Sequence, residues 1–126
     1  MGKRVVHLEF PAQDLERSKK FWEGVGGWEI NDSGMPGMQY LMWQDEGQGG
    51  GIYSMEGMSG TVVYLGSDDI DADLAKVREL GGDAEEKQPI PKIGWFARCK
   101  DSEGNDFSLF QSDENAPAPE GMPAGG

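Results

Sequence analysis

Among 126 residues there is one cysteine and one histidine, and each scarcity excludes chemistry. A lone Cys99 can form no internal disulfide, no CxxC redox pair and no thiolate zinc site. A lone His7 cannot supply the two imidazoles of a non-haem iron centre, and a Cys–His nucleophilic pair would need Cys99 beside His7, which nothing local arranges. Positive charge is also short: 11 Lys and Arg stand against 23 Asp and Glu, a net charge of −12. Such a chain repels phosphate backbones and anionic lipid, so neither nucleic acid nor a membrane is an expected partner. No apolar run approaches the ~18 residues of a membrane span, and Met1-Gly2-Lys3-Arg4 leads straight into a strand-like segment. The expectation is a soluble, cytoplasmic protein.

Glycine is plentiful, 20 residues falling mostly in clusters that punctuate short elements. Between them the chain repeats itself once. VVHLEFPAQDLERSKKFWEGVGGWE, from Val5, is matched by VVYLGSDDIDADLAKVRELGGDAE, from Val62: an apolar strand, an Asp-bearing link, an amphipathic helix and a Gly-Gly stop. Two copies are too few for a solenoid and point to paired half-sheets. In the first half Leu15, Ser18, Phe21, Trp22 and Val25 recur at helical spacing after an Asp14 N-cap, and strands are expected at 28–30, 39–44 and 51–55. In the second a helix is expected near 71–80, then strands at 84–87, 95–100 and 106–111. The fold class is α+β, two βαβββ modules at about 4–58 and 61–112 forming a half-open barrel, with 113–126 a disordered tail rich in Pro, Ala, Gly and acid. The GQGGG run at 47–51 lacks a following Lys-Ser/Thr or helix, so it reads as a hairpin and not as a phosphate loop. The Asp cluster after Ser67 suits a helix start and lacks the spacing of a calcium loop.

The duplicated unit, DLERSKKFWEGVGGWEI after a strand histidine, SDDIDADLAKVRELGG, and the closing CKDSEGNDFSLFQ together resemble the vicinal oxygen chelate superfamily, which includes glyoxalase I, extradiol dioxygenases and bleomycin-resistance proteins. The resemblance covers about residues 4 to 111 and implies a glyoxalase-like fold. Metal-dependent members hold a divalent ion in a cup between the half-sheets, with a His, Glu, His, Glu pattern in glyoxalase. His7 matches the first ligand. The second falls near Gly51 or Ile52, the third at Val62 or Tyr64, and the fourth at Ser108. No stoichiometric metal is therefore expected. Glu9, two residues from His7 on one strand face, offers the only partial repair, a weak divalent site of His7 and Glu9. The alternative for Glu9 is an ion pair with Arg98, Lys100 or Arg4.

Alternation places His7, Glu9, Tyr40, Tyr64, Ser108 and Phe110 on the cup side of their strands, with Leu8, Phe10, Phe107 and Leu109 in the core. Pro89 and Pro91 argue against regular pairing at the start of KQPIPKIGWFARC, which would put Trp95 in a stiff loop at the cup's mouth. Seven expected ligand contacts follow: His7, Glu9, Tyr40, Tyr64, Trp95, Ser108 and Phe110. Three functions stay open. One is a bleomycin-resistance-like homodimer that binds a flat, neutral or cationic organic molecule. Another is a superfamily isomerase, epimerase or lyase, lactoylglutathione-lyase-like, with His7 or Glu9 as general base on a small carbonyl compound. The third is an interaction module without a small ligand.

Overall fold

The computed structural model describes residues 2–33, 39–45, 47–54 and 60–118. Two compact units emerge, one of Val5–Val63 and the other running from Tyr64 onward and including the residues up to Arg4.

The first unit contains β1 (Val5–Pro11), α1 (Leu15–Gly26), β2 (Ile30–Asp32), β3 (Tyr40–Asp45) and β4 (Gln48–Tyr53). Its strands lie in the order β2-β3-β4-β1, with β1 parallel to β4 and the other pairs antiparallel. Asp14 caps α1 by accepting from the Arg17 backbone N–H, and Gly27, at φ 73°, ends it in the left-handed region where a Cβ would be strained. One sheet face packs under the helix, burying Ile30, Leu41, Trp43 and Ile52 against Leu8, Phe10, Leu15, Trp22 and Trp28. Trp28 stacks on Trp43 at 3.9 Å between centroids and Phe10 on Trp22 at 4.6 Å, so four aromatic rings stack within this core. Phe21 and Val25, expected on the buried stripe, are exposed. At 100° per residue they lie to the side of Leu15 and Trp22.

The second unit contains β5 (Val62–Gly66, whose first two residues belong to the first unit), α2 (Ile70–Glu79), β6 (Asp83–Ala84), β7 (Gln88–Ile90), β8 (Gly94–Lys100) and β9 (Asp106–Ser112). The order is β5-β9-β8, with β6 and β7 both antiparallel on the free edge of β8. Asp69 caps α2 through the Ala72 N–H. Its core is smaller in residue type, with Ile70, Leu74, Ala97, Cys99 and Leu109 fully buried. Burial raises the Cys99 thiol to about 11, which fits a packed, unreactive group. In the β8–β9 turn Asp101 accepts from the Asn105 and Glu103 backbones and from the Asn105 side chain. Those bonds, the Asn105 backbone first, hold its carboxyl below the usual range.

Several expectations need correction. Pro89 does pair: it faces Trp95 across β7 and β8, on an edge strand where a missing N–H costs no ladder bond. The turn after it passes through Lys92 at φ 64°. Residues 113–118 are not disordered; Ala116 is buried, its carbonyl accepts from Lys92, and the Asp113 N–H donates to Ile93. Residues 119–126, like Met55 at the end of an expected strand, lie outside the described residues.

Candidate functional site

The face of the first unit turned away from α1 carries its polar chemistry. Register sets the membership of that face: Glu9 pairs with Gly51, which pairs with Met42, and His7 pairs with Gly49. Paired residues share a face, so Tyr40, paired with Tyr53, belongs to the same side. Tyr40 and Glu9 nevertheless stand on strands separated by β4, about 9–10 Å apart in backbone terms. Contact between them requires a long side chain and nothing in its way. Both conditions hold, because a Cβ on Gly51 would collide with the Tyr40 ring and hydroxyl.

Across that gap the Tyr40 hydroxyl donates to Glu9 Oε2 at 2.6 Å and lies 2.6 Å from His7 Nε2. A phenol has one proton, so with that proton on the Glu9 side the oxygen accepts from an Nε2–H of His7. The rings of His7 and Tyr40 are nearly parallel, 10° apart with centroids at 6.4 Å. His7 and Glu9 side chains keep 22% and 15% of their exposure, while Tyr40 is buried at 7%. The result is a three-member hydrogen-bonded chain whose ends reach solvent and whose middle does not. Gly50 plays the matching part on the opposite face, where a Cβ would strike the Trp43 indole. Two adjacent glycines of β4 thus admit one aromatic ring on each side of the sheet.

In the second unit Phe110 and Phe96 share one face of the β8–β9 pair with Ser108 and Arg98. Ser108 is 1% exposed, Phe110 half-buried, and Tyr64 half-buried on β5. Trp95 is on the other face, packed with the α2 core; its indole N–H donates to Asp113 and Lys87 lies 4.6 Å over its ring. The expectation of a mouth-loop Trp95 is overturned, since the β7 pairing makes that segment a strand. An ion pair of Glu9 with Lys100 is likewise replaced, Lys100 binding Asp106 at 2.6 Å.

The residues at the metal positions implied by resemblance do not fit a divalent ion. Gly51 has no side chain, Ile52 is fully buried on the α1 face, neither Val62 nor Ser108 is a metal-binding side chain of the family's type, and Tyr64, the alternative at the third position, is a phenol where the family has an imidazole. His7 Nε2 is engaged with Tyr40. Among the described residues there is no group of three or more His, Cys, Asp or Glu able to hold a metal. Nor is any helix among them long and apolar enough to cross a membrane. Sequence reasoning named His7, Glu9 and Tyr40 separately but missed their bridging, which depends on the register of β4 and the absence of a side chain at 51.

The sequence matches the family model of the bleomycin resistance protein-like N-terminal region over residues 4–44. A search of curated proteins finds no match. Among solved structures the chain is similar to a hypothetical protein from Bacillus halodurans C-125, with a TM-score of 0.70 and 12% identity over 92% of this chain and 99% of that one. It is also similar to a glyoxalase/bleomycin resistance protein/dioxygenase superfamily member from Vibrio splendidus 12B01, at 0.65 and 20% over 89% and 100% of the two chains. A variant of Streptomyces coelicolor methylmalonyl-CoA epimerase in complex with 2-nitronate-propionyl-CoA gives 0.65 and 18% over 87% and 97%. At these identities the structural likeness is one of fold, α+β and glyoxalase-like. The family match covers the opening β-α-β-β segment, residues 4–44, and over the rest of the chain the likeness is one of fold, in keeping with the resemblance to the vicinal oxygen chelate superfamily.

Proposed function

We propose that the protein is a small-molecule-binding member of the superfamily, of the bleomycin-resistance type, and that the His7–Tyr40–Glu9 face of the first unit touches the ligand. The observation that carries this reading is the bridging of that trio: Tyr40 engages both the carboxylate and the imidazole, so that His7, at the first ligand position of metal-dependent members, is held in a hydrogen-bonded recognition face. A net charge of −12 and a carboxylate on the face favour flat neutral or cationic organic molecules over phosphorylated ones. A cytoplasmic homodimer belongs to the same proposal, supported by the exposed Phe21 and Val25 of α1. A thermal-shift screen with neutral, cationic and anionic small molecules tests it. Stabilisation by cationic or neutral aromatics, lost in Glu9→Gln, is expected. Stabilisation by anionic compounds alone would contradict it and turn attention to Arg98.

A second reading, a superfamily isomerase or epimerase, is favoured by the same chain of three groups, since a carboxylate, a phenol and an imidazole at 2.6 Å can pass a proton in either direction. Exchange of an α-proton of a carbonyl ligand for solvent deuterium, abolished by Tyr40→Phe, would select this reading.

A further inference from the structure

His7 Nε2 and Glu9 Oε2 are 3.5 Å apart, and both point at one atom, the Tyr40 hydroxyl oxygen, 2.6 Å from each. We propose that this hydroxyl stands in the place of a divalent cation, so that Tyr40 closes a latent two-donor site and keeps the protein metal-free. A zinc-sized ion binds imidazole nitrogen and carboxylate oxygen at about 2.0–2.2 Å, and two such bonds span 3.5 Å at close to the tetrahedral angle. His7 and Glu9 are thus already spaced as a chelating pair. The bond from the Nε2–H and the bond to an Oε2 lone pair lie along the directions that bonds to an ion would take, so the phenol oxygen and an ion exclude one another. With the phenol proton given to Glu9, Nε2 carries a proton as well, and an ion would have to displace it.

Gly51 is the second half of the device. The Tyr40 ring reaches its position only by crossing β4 over Gly51, where any Cβ would collide with the ring and hydroxyl. The resemblance puts the second metal ligand near Gly51 or Ile52, and of these two Gly51 is on the face of His7 and Glu9 while Ile52 is in the core under α1. A ligand side chain at 51 and the Tyr40 phenol would therefore exclude one another, and glycine there favours the phenol. The proposal rests on the reading of this face as the site. Its test uses metal alone, so it fails or holds separately from any organic ligand.

The test titrates the full chain with Co²⁺ and Zn²⁺, followed by calorimetry, visible absorption and the NMR signals of the imidazole. Only one histidine is present, so those signals are unambiguous. Tyr40→Phe keeps the ring and deletes the oxygen. It is expected to bind either ion about tenfold or more tightly than the unmodified chain, since an ion no longer competes with the charge-assisted hydrogen bond to Glu9 and the second bond to His7. Gly51→Ala attacks the same arrangement from the neighbouring strand by displacing the ring, and is expected to move affinity in the same direction. Adding His7→Ala to Tyr40→Phe should erase the gain. Circular dichroism establishes which variants fold, and either folded variant suffices. A folded variant no tighter than the parent overturns the proposal, and so does stoichiometric uptake of one ion through His7 by the unmodified chain, a result that needs no variant.

Discussion

The two units repeat one plan and differ in which sheet face has diverged. Toward their helices both bury a compact apolar set, Ile30, Leu41, Trp43 and Ile52 in one and Ile70, Leu74, Ala97, Cys99 and Leu109 in the other. Away from the helices they have little in common: His7, Tyr40 and Glu9 form a hydrogen-bonded chain over glycine in the first, while Phe96 and Phe110 flank Arg98 and a buried Ser108 in the second. The lesson is one of parity. Alternate positions of each strand hold the fold and are constrained by packing, whereas the intervening positions are free to carry chemistry in one copy and not in the other.

The largest effects should fall on the shared parity and should be alike in both units. Ile52→Ala and Leu109→Ala, at 0% and 2% exposure, are each expected to lower unfolding free energy by about 2–5 kcal/mol in denaturant titrations. A loss below about 1 kcal/mol in one of them alone would break the equivalence. Next come the neighbouring glycines, which set the two faces of one strand against each other. Gly50→Ala drives a methyl into the buried Trp43 indole and should cost about 1–3 kcal/mol. Gly51→Ala should cost less, because the ring it strikes faces the site and can swing, while its effect on ligand or metal binding should be the larger. A reversal of that order would show that the site face is as tightly packed as the core. The helix caps are equal again: Asp14→Ala and Asp69→Ala should each cost about 1 kcal/mol by thermal melting.

The smallest expected effect belongs to Asp73 in the second unit. Burial pushes its pKa up, but the Ser67 hydroxyl and the Lys3 ammonium together outweigh burial and hold it below 3.8. A depressed carboxylate contributes stability that is complete above its unfolded value and is lost as pH falls through the folded one. Lys3→Ala should therefore lower stability by up to about 1 kcal/mol at pH 7, a difference that narrows as pH falls below about 3.8. A difference that persists unchanged at pH 2 would assign the loss to packing of the Lys3 stem.

Much of the fold was legible because local signals agreed with it. Asp14 and the Gly26-Gly27 stop bounded α1, and alternation in VVHLEF separated Leu8 and Phe10 from His7 and Glu9. Legibility failed where partners are distant in sequence. Pro89 looked like a loop residue until its register opposite Trp95 on an edge made it strand. Ala116, in a stretch of loop composition, is buried where its carbonyl accepts from Lys92 and the neighbouring Asp113 N–H donates to Ile93, bonds that composition does not encode. The site was read as separate points for a similar reason. Parity says which side Tyr40 takes, but only the β3–β4–β1 register, and a glycine where another residue would block the ring, brings its hydroxyl to His7 and Glu9.

The single histidine makes the central claim directly measurable. Imidazole nitrogen and carbon-bound proton shifts of His7, recorded with and without a compound that raises the melting temperature, report on the face formed by His7, Tyr40 and Glu9 and on no other part of the molecule. If that face is the binding site, saturating ligand should move the His7 signals, and Tyr40→Phe should alter both their starting positions and the affinity. A stabilising ligand that leaves the His7 resonances unmoved would place binding elsewhere and contradict the account.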